Sequence, residues 1–183
     1  MSASPIMPGD PAAAGPVLTT ERLTLRLPRA EDWPYWRDFA ASGRARFIGG
    51  PMDEGRAWRA FGHVIGHWTL RGYGSFIFHR TGGDRPLGMA GPWYPADWPE
   101  PELGWTIWWG DVEGQGFAQE SMLAARAHAY DTLGWTTAVS YVSPRNARSV
   151  ALARRLGCHA DPGAPRPEPS MLVFRHPGPE ELR

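Results

Sequence analysis

Apolar and polar residues alternate along Thr20-Glu21-Arg22-Leu23-Thr24-Leu25-Arg26-Leu27, the two-residue period of a half-buried strand, and Pro28 stops it. From about Ala30 to Ala41 the spacing changes. Trp33, Trp36 and Ala40 recur at three and four, which predicts a short amphipathic helix with Pro34 confined to its first turn. After a loop over 44–51, Asp53 is a candidate N-cap for a second helix, with Trp58, Phe61, Ile65 and Trp68 as its apolar stripe to about Leu70. Gly72-Tyr73-Gly74 breaks that helix. Strands over 75–79 and 87–93 then form a hairpin about the turn 81–84. A proline- and aromatic-rich loop, 94–101, leads to a strand over 102–108. Ala118, Met122, Ala125, Ala129 and Leu133 line one face of a helix over 117–133, stopped by Gly134. A strand over 136–142 follows, then a helix opened by Ser143-Pro144 and stopped at Gly157, then a last strand over 170–175. The order predicts a mixed α/β domain over 17–176. It has a mostly antiparallel sheet of six or seven strands, a parallel pair late in the chain and four helices.

Composition narrows the partners more than the fold. The 183 residues suffice for one core without metal or disulfide. Net charge is zero, which argues against a nucleic-acid or membrane-surface partner, so a phosphate-bearing ligand must be held by local geometry. One cysteine, Cys158, excludes an internal disulfide and suits a reducing cytoplasm. No apolar run approaches the roughly 18 residues of a membrane span. Residues 1–16, rich in Ala, Pro and Gly, are expected to be a disordered lead, and 177–183 a tail.

The candidate chemistry begins at the strand ending Trp105-Thr106-Ile107-Trp108, which runs through an acidic turn into Glu113-Gly114-Gln115-Gly116-Phe117-Ala118 at a helix start. First-turn amides lack intrahelical partners and the helix dipole adds positive potential, so such a turn can hold phosphate oxygens. The alternative is a plain helix start with glycines for packing. A dinucleotide site would need a third glycine where Gln119 stands and an acid after the next strand, and both are lacking. His63 and His67 lie four apart on a helix, without an internal glutamate or a third ligand, and are read as ordinary helix histidines with no metal.

With these elements placed, the chain resembles the GNAT N-acetyltransferase superfamily, and within it the RimJ/RimL-like ribosomal-protein acetyltransferase group. The resemblance spans Leu18 to Arg175. It rests on Thr20-Glu21-Arg22-Leu23 with Leu25-Arg26, on the turn 113–120, and on Asn146-Ala147-Arg148-Ser149 with Leu156-Gly157. It implies acetyl-coenzyme A as co-substrate, with its pyrophosphate on the turn 113–118. The superfamily prefers Arg or Gln where Glu113 stands, so Glu113 is expected to point away from the phosphates. The resemblance further implies that the pantetheine arm enters between two splayed parallel strands and pairs with the backbone of Thr106, Ile107 and Trp108. Asn146 would contact the coenzyme, and Ser149 would reach the sulfur.

Acetyl transfer to a primary amine, on a protein N-terminus or a small molecule, needs a base for the amine and a proton for the leaving thiolate. Glu102 opens the cofactor strand in apolar, proline-rich surroundings and is the candidate base. The alternative is a solvated strand-end carboxylate, and Glu100 is the near substitute. Ser149 is the candidate acid, with Tyr141 in reserve. Cys158 is left structural. Trp33, Trp36, Phe47, Trp93 and Trp98 are candidate acceptor walls. The resemblance leaves monomer and homodimer both open. The rival function is a catalytically silent acyl-coenzyme-A-binding sensor or partner subunit.

Overall fold

The computed structural model describes residues 15–183, so the lead expected over 1–16 lies, through residue 14, outside the described residues. An eight-stranded sheet runs in the order β1 (Leu18–Thr19), β2 (Leu23–Arg26), β3 (Phe76–Arg80), β4 (Pro86–Trp93), β5 (Glu102–Ile107), β6 (Val139–Val142), β8 (Leu172–Arg175) and β7 (His159–Ala160). Every neighbour is antiparallel except β5 and β6. The sheet exceeds the expected six or seven strands because β1 and β7 are two residues long, too short for any period to register.

Among the described residues the four α-helices are α1 (Trp33–Ala41), α2 (Glu54–Arg71), α3 (Phe117–Asp131) and α4 (Ala147–Arg155). Pro34 sits in the first turn of α1. Asp53 caps α2 by accepting from Arg56 N–H at 2.8 Å. The stripe of α2 departs from expectation. Its buried residues are Ala57, Phe61, Val64, His67 and Trp68, whereas Trp58 is 60% exposed and Ile65 is also open to solvent. Both stripes have helical spacing, and the fully buried Ala57 decides between them: its small side chain faces α1, where Trp36 Nε1 donates to its carbonyl at 3.0 Å. The start of α4 also differs. Ser143 and Pro144 form a turn, and Asn146 is the cap, its Oδ1 accepting Ser149 N–H at 3.2 Å.

Alternation along β3 separates two cores. Phe76 and Phe78 face α3 and pack with Met122, Ala125 and Ala129, whereas Ile77 faces α1 and α2 and packs with Trp36, Phe39 and Phe61. Trp108, just past β5, drives into this second cluster and stacks on Phe39 at 5.7 Å. The small residues on α3 let it lie close against β4 and β5.

Gly88 shows how tightly the strands meet: a methyl there would collide with the Thr106 carbonyl oxygen of β5 and the Phe78 ring. Gly88→Ala is therefore expected to cost about 2 kcal/mol, lowering Tm by roughly 4–8 °C in calorimetry. An unchanged Tm would contradict the β4–β5 register.

Candidate active site

Among the described residues the parallel pairing of β5 with β6 amounts to one register pair, Glu102 against Val139. Val139 N–H donates to the Pro101 carbonyl at 3.0 Å, and Ser140 Oγ–H donates to the Leu103 carbonyl at 2.6 Å. Beyond that point the strands separate. Backbone groups of β5 alternate sides, and Trp108 N–H is given to the Leu87 carbonyl of β4 at 2.9 Å. Residues 102, 104, 106 and 108 thus turn their amides toward β4, and Leu103, Trp105 and Ile107 turn theirs toward the gap.

The turn after β5 is braced from the far edge of the sheet. Arg22 and Arg80 lie on the Phe117 ring at 4.7 and 4.6 Å. Arg22 Nη1 donates to the Gln115 carbonyl at 3.1 Å, and its Nε to Glu120 Oε2 at 2.7 Å. Thr20 Oγ1–H donates to the same carboxylate at 2.5 Å. Gly116 caps α3 at φ 85°, a left-handed conformation that side chains rarely adopt, which aims the first-turn amides outward. At the mouth, Glu113 Oε1 accepts from Arg44 Nη2 at 2.6 Å and Arg148 Nη1 at 3.0 Å.

Two cavities meet at the splay. The larger, about 910 Å³, lies between the glycine turn and α4 and includes Glu113, Gly114, Gly116, Phe117, Ala118 and Arg148 in its lining. The smaller, about 450 Å³, lies on the α1–α2 side. Trp105, Thr106, Asn146 and Ser149 line both. Glu102 faces the smaller one, and Gly104, next on that face of β5, bears no side chain, so the space before the carboxyl stays open. Trp98 Nε1 donates to Glu102 Oε2 at 2.5 Å and Tyr141 N–H to Oε1 at 3.4 Å. Burial outweighs these bonds and pushes the Glu102 carboxyl up to about 7.

Residues 22–159 match the acetyltransferase (GNAT) domain family. The chain belongs to the GNAT acetyltransferases. An acetyltransferase from Agrobacterium tumefaciens is 42% identical, with a TM-score of 0.84 over 88% of this chain and 94% of that one. A Bordetella pertussis protein assigned to the GNAT acetyltransferases is 23% identical, with a TM-score of 0.73 over 88% of this chain and 99% of that one. RimL, a ribosomal-protein alpha-N-acetyltransferase, is 16% identical, with a TM-score of 0.66 over 88% and 92%, a likeness of fold. GNAT acetyltransferases use acetyl-coenzyme A as co-substrate.

The geometry sorts the site residues expected of a GNAT protein. Of Thr106, Ile107 and Trp108, only Ile107 turns its backbone to the gap. Trp105 is its partner there, and a two-residue count from Glu102 distinguishes them. Trp108 is 1% exposed and lines neither cavity. Gln115 lies outside both linings, its amide donating to the Asp111 carbonyl at 2.7 Å. Trp36, Phe47, Trp93 and Trp98 line the smaller cavity. Trp33 does not: it packs edge-on against Trp58 at 4.9 Å. Glu100 is drawn away, both its oxygens held by Arg175 at 2.9 and 3.0 Å. Tyr141 O–H donates to the Pro165 carbonyl at 3.3 Å, and burial with Glu100 and Glu102 nearby pushes it up to about 12. Ser149 Oγ accepts Trp105 Nε1–H at 3.2 Å, which leaves its own proton available.

Burial pushes the Cys158 thiol up to about 11, so it is no nucleophile. His67 Nδ1 donates to the Tyr73 carbonyl at 2.8 Å and Nε2 accepts Tyr94 N–H at 2.9 Å, so neither nitrogen is left for a metal. Among the described residues no group of three metal-binding side chains gathers. Nor is any helix there long and apolar enough to cross a membrane.

Glu113 lines the larger cavity, where two arginines hold its carboxylate. Arg44 comes from a short 3-10 helix, Gly43–Phe47, 69 residues away and carries no local sequence signal. Glu113→Gln removes one negative charge and leaves both guanidiniums for an anion. It is expected to tighten coenzyme A binding about fivefold at low salt, an advantage that shrinks as salt rises. Titration calorimetry at two ionic strengths checks this. Weaker binding would mean that Glu113 is needed to position the arginines.

Proposed function

We propose that this GNAT protein is an acetyl-coenzyme-A-dependent N-acetyltransferase acting on a primary amine in a ternary complex. The observation that carries the reading is the meeting of a phosphate-side cavity and a carboxylate-bearing cavity at the β5–β6 splay. The residues present suit the co-substrate. First-turn amides of α3 and the arginines Arg44 and Arg148 suit the pyrophosphate, and the amides of Trp105 and Ile107 suit an extended arm bearing peptide-like groups. The free thiol of Cys158, and a fold without disulfides, suit a reducing cytoplasmic compartment.

Bound acetyl-coenzyme A supplies the activated acyl carbon as a thioester. Glu102, ionised above about pH 7, takes a proton from the ammonium of the acceptor. The freed amine lone pair forms the C–N bond as the C–S bond breaks. Ser149 Oγ–H is aimed where the departing sulfur collects charge, with Trp105 Nε1–H fixing the hydroxyl's orientation. The balance is an amide, a thiol and one released proton. Asn146 serves through the backbone, holding the start of α4 so that Ser149 stays at the junction. The likeness to the RimJ/RimL group rests on the motifs of 20–26, 113–120 and 146–149 and supports an amine acceptor, peptide or small molecule.

Glu102→Gln is expected to lower kcat about a hundredfold and leave acetyl-coenzyme A affinity within about twofold. In the native enzyme log kcat should rise with pH up to about 7 and then level; in the variant that limb should vanish. Stability carries the opposite sign. A folded pKa raised above the unfolded value means the folded state binds the extra proton, so Glu102 destabilises the protein progressively from about pH 4.5 to 7. Thiol release against pH, beside Tm against pH, tests both. Tight acetyl-coenzyme A binding without turnover on any amine would favour a silent acyl-coenzyme-A sensor.

A further inference from the structure

The smaller cavity has a composition that selects its occupant. Trp36, Phe47, Met52, Met89, Trp93 and Met171 supply its walls from five separate segments, and no arginine lines it. Its volume, about 450 Å³, lies in the range of small-molecule sites. Three of the polar side chains on its lining are committed within the chain, whereas the hydroxyls of Thr106, Ser143 and Ser149, close to the splay, only accept. Ser140 donates to the Leu103 carbonyl, Tyr141 to the Pro165 carbonyl, and Asn146 caps α4. Glu102 is the acid at its inner end, and the other acid of the lining, Glu168, is exposed, where water screens it.

We propose that the acceptor is a small primary amine whose remaining body is aromatic or bulky aliphatic. This rests on the amine-acetyltransferase reading above and names its substrate class. A peptide N-terminus would bring an N–H and a C=O per residue against walls that are mainly ring and thioether, where open hydroxyls stand only near the splay, and each unpaired group is costly. A polyamine would need a second desolvated carboxylate for its second ammonium. An apolar amine needs one charge partner, Glu102, and ring and thioether surface for the rest. The three methionines allow more than one body shape, because thioethers repack readily.

The test uses the full chain with acetyl-coenzyme A, following thiol release and product mass. The panel is 2-phenylethylamine, hexylamine, spermidine and an unblocked alanyl tetrapeptide. The kcat/KM for phenylethylamine is expected to exceed those for spermidine and the peptide by about thirtyfold, the gain from burying one ring. Trp93→Ala should raise the KM for phenylethylamine about tenfold with kcat and acetyl-coenzyme A affinity within about twofold, the retained affinity reporting an intact fold. Met171→Glu, in the non-helical segment before β8, should depress phenylethylamine and raise spermidine. Preference of the native protein for the peptide or spermidine overturns this inference and leaves the acetyltransferase reading standing. Acetyl-coenzyme A binding with no turnover on any of the four amines overturns both.

Discussion

A strand inside a sheet must pair its N–H and C=O groups on both edges, and β5 does so fully only toward β4. On its other edge the pairing with β6 reduces to Glu102 against Val139, reinforced by the Ser140 hydroxyl on the Leu103 carbonyl. The cleft, the junction of the two cavities and the placement of Glu102 all descend from that divergence. Glu102 stands at the last point where the strands touch, so it is held by the sheet and still borders the opening. The amides that follow, on Trp105 and Ile107, have no strand partner on that edge.

Charge is managed locally in a chain with none to spare overall. At the larger cavity one acid, Glu113, gathers arginines from a short 3-10 helix after α1 and from α4, bridging two parts of the chain that the sheet does not connect. At the smaller cavity one acid, Glu102, is left without any cationic partner, and burial keeps its proton until near neutrality. The difference lies in their partners: Glu113 is clamped by two guanidiniums, whereas Glu102 has only the Trp98 indole and the Tyr141 amide as donors. Glu100, one turn of loop away, is neutralised by Arg175 and so is removed from the chemistry.

The aromatic residues divide the same way. Trp68 and Trp108 are buried anchors, and Trp36, buried behind the smaller cavity and lining it, spends its indole N–H on the Ala57 carbonyl as Trp68 does on that of Ser75. Trp98 and Trp105 instead point their N–H groups at Glu102 and Ser149, so two residues on the lining of the smaller cavity orient its polar groups. Trp93 stacks on His67 at 4.6 Å, and His67, fixed by two backbone bonds, holds that wall in place.

The elements with a clear period are legible in the sequence itself. The α3 face, the β2 alternation, the Asp53 cap and the glycine turn each depend on residues within one or two turns of one another, and local physics suffices there. The motif Thr20-x-Arg22 is legible as a pattern, but its purpose is not, because its partner Glu120 is about a hundred residues away. The same distance hides Arg44 behind Glu113. The buried stripe of α2 differs from the expected one because two stripes satisfy the helical period and only packing against α1 chooses between them. Thus the chain's own order determined the fold class and the glycine turn at the start of α3. Tertiary structure alone decided which amides face the gap, which glutamate keeps its proton and which tryptophans line a cavity, because those properties depend on groups brought together from distant parts of the chain.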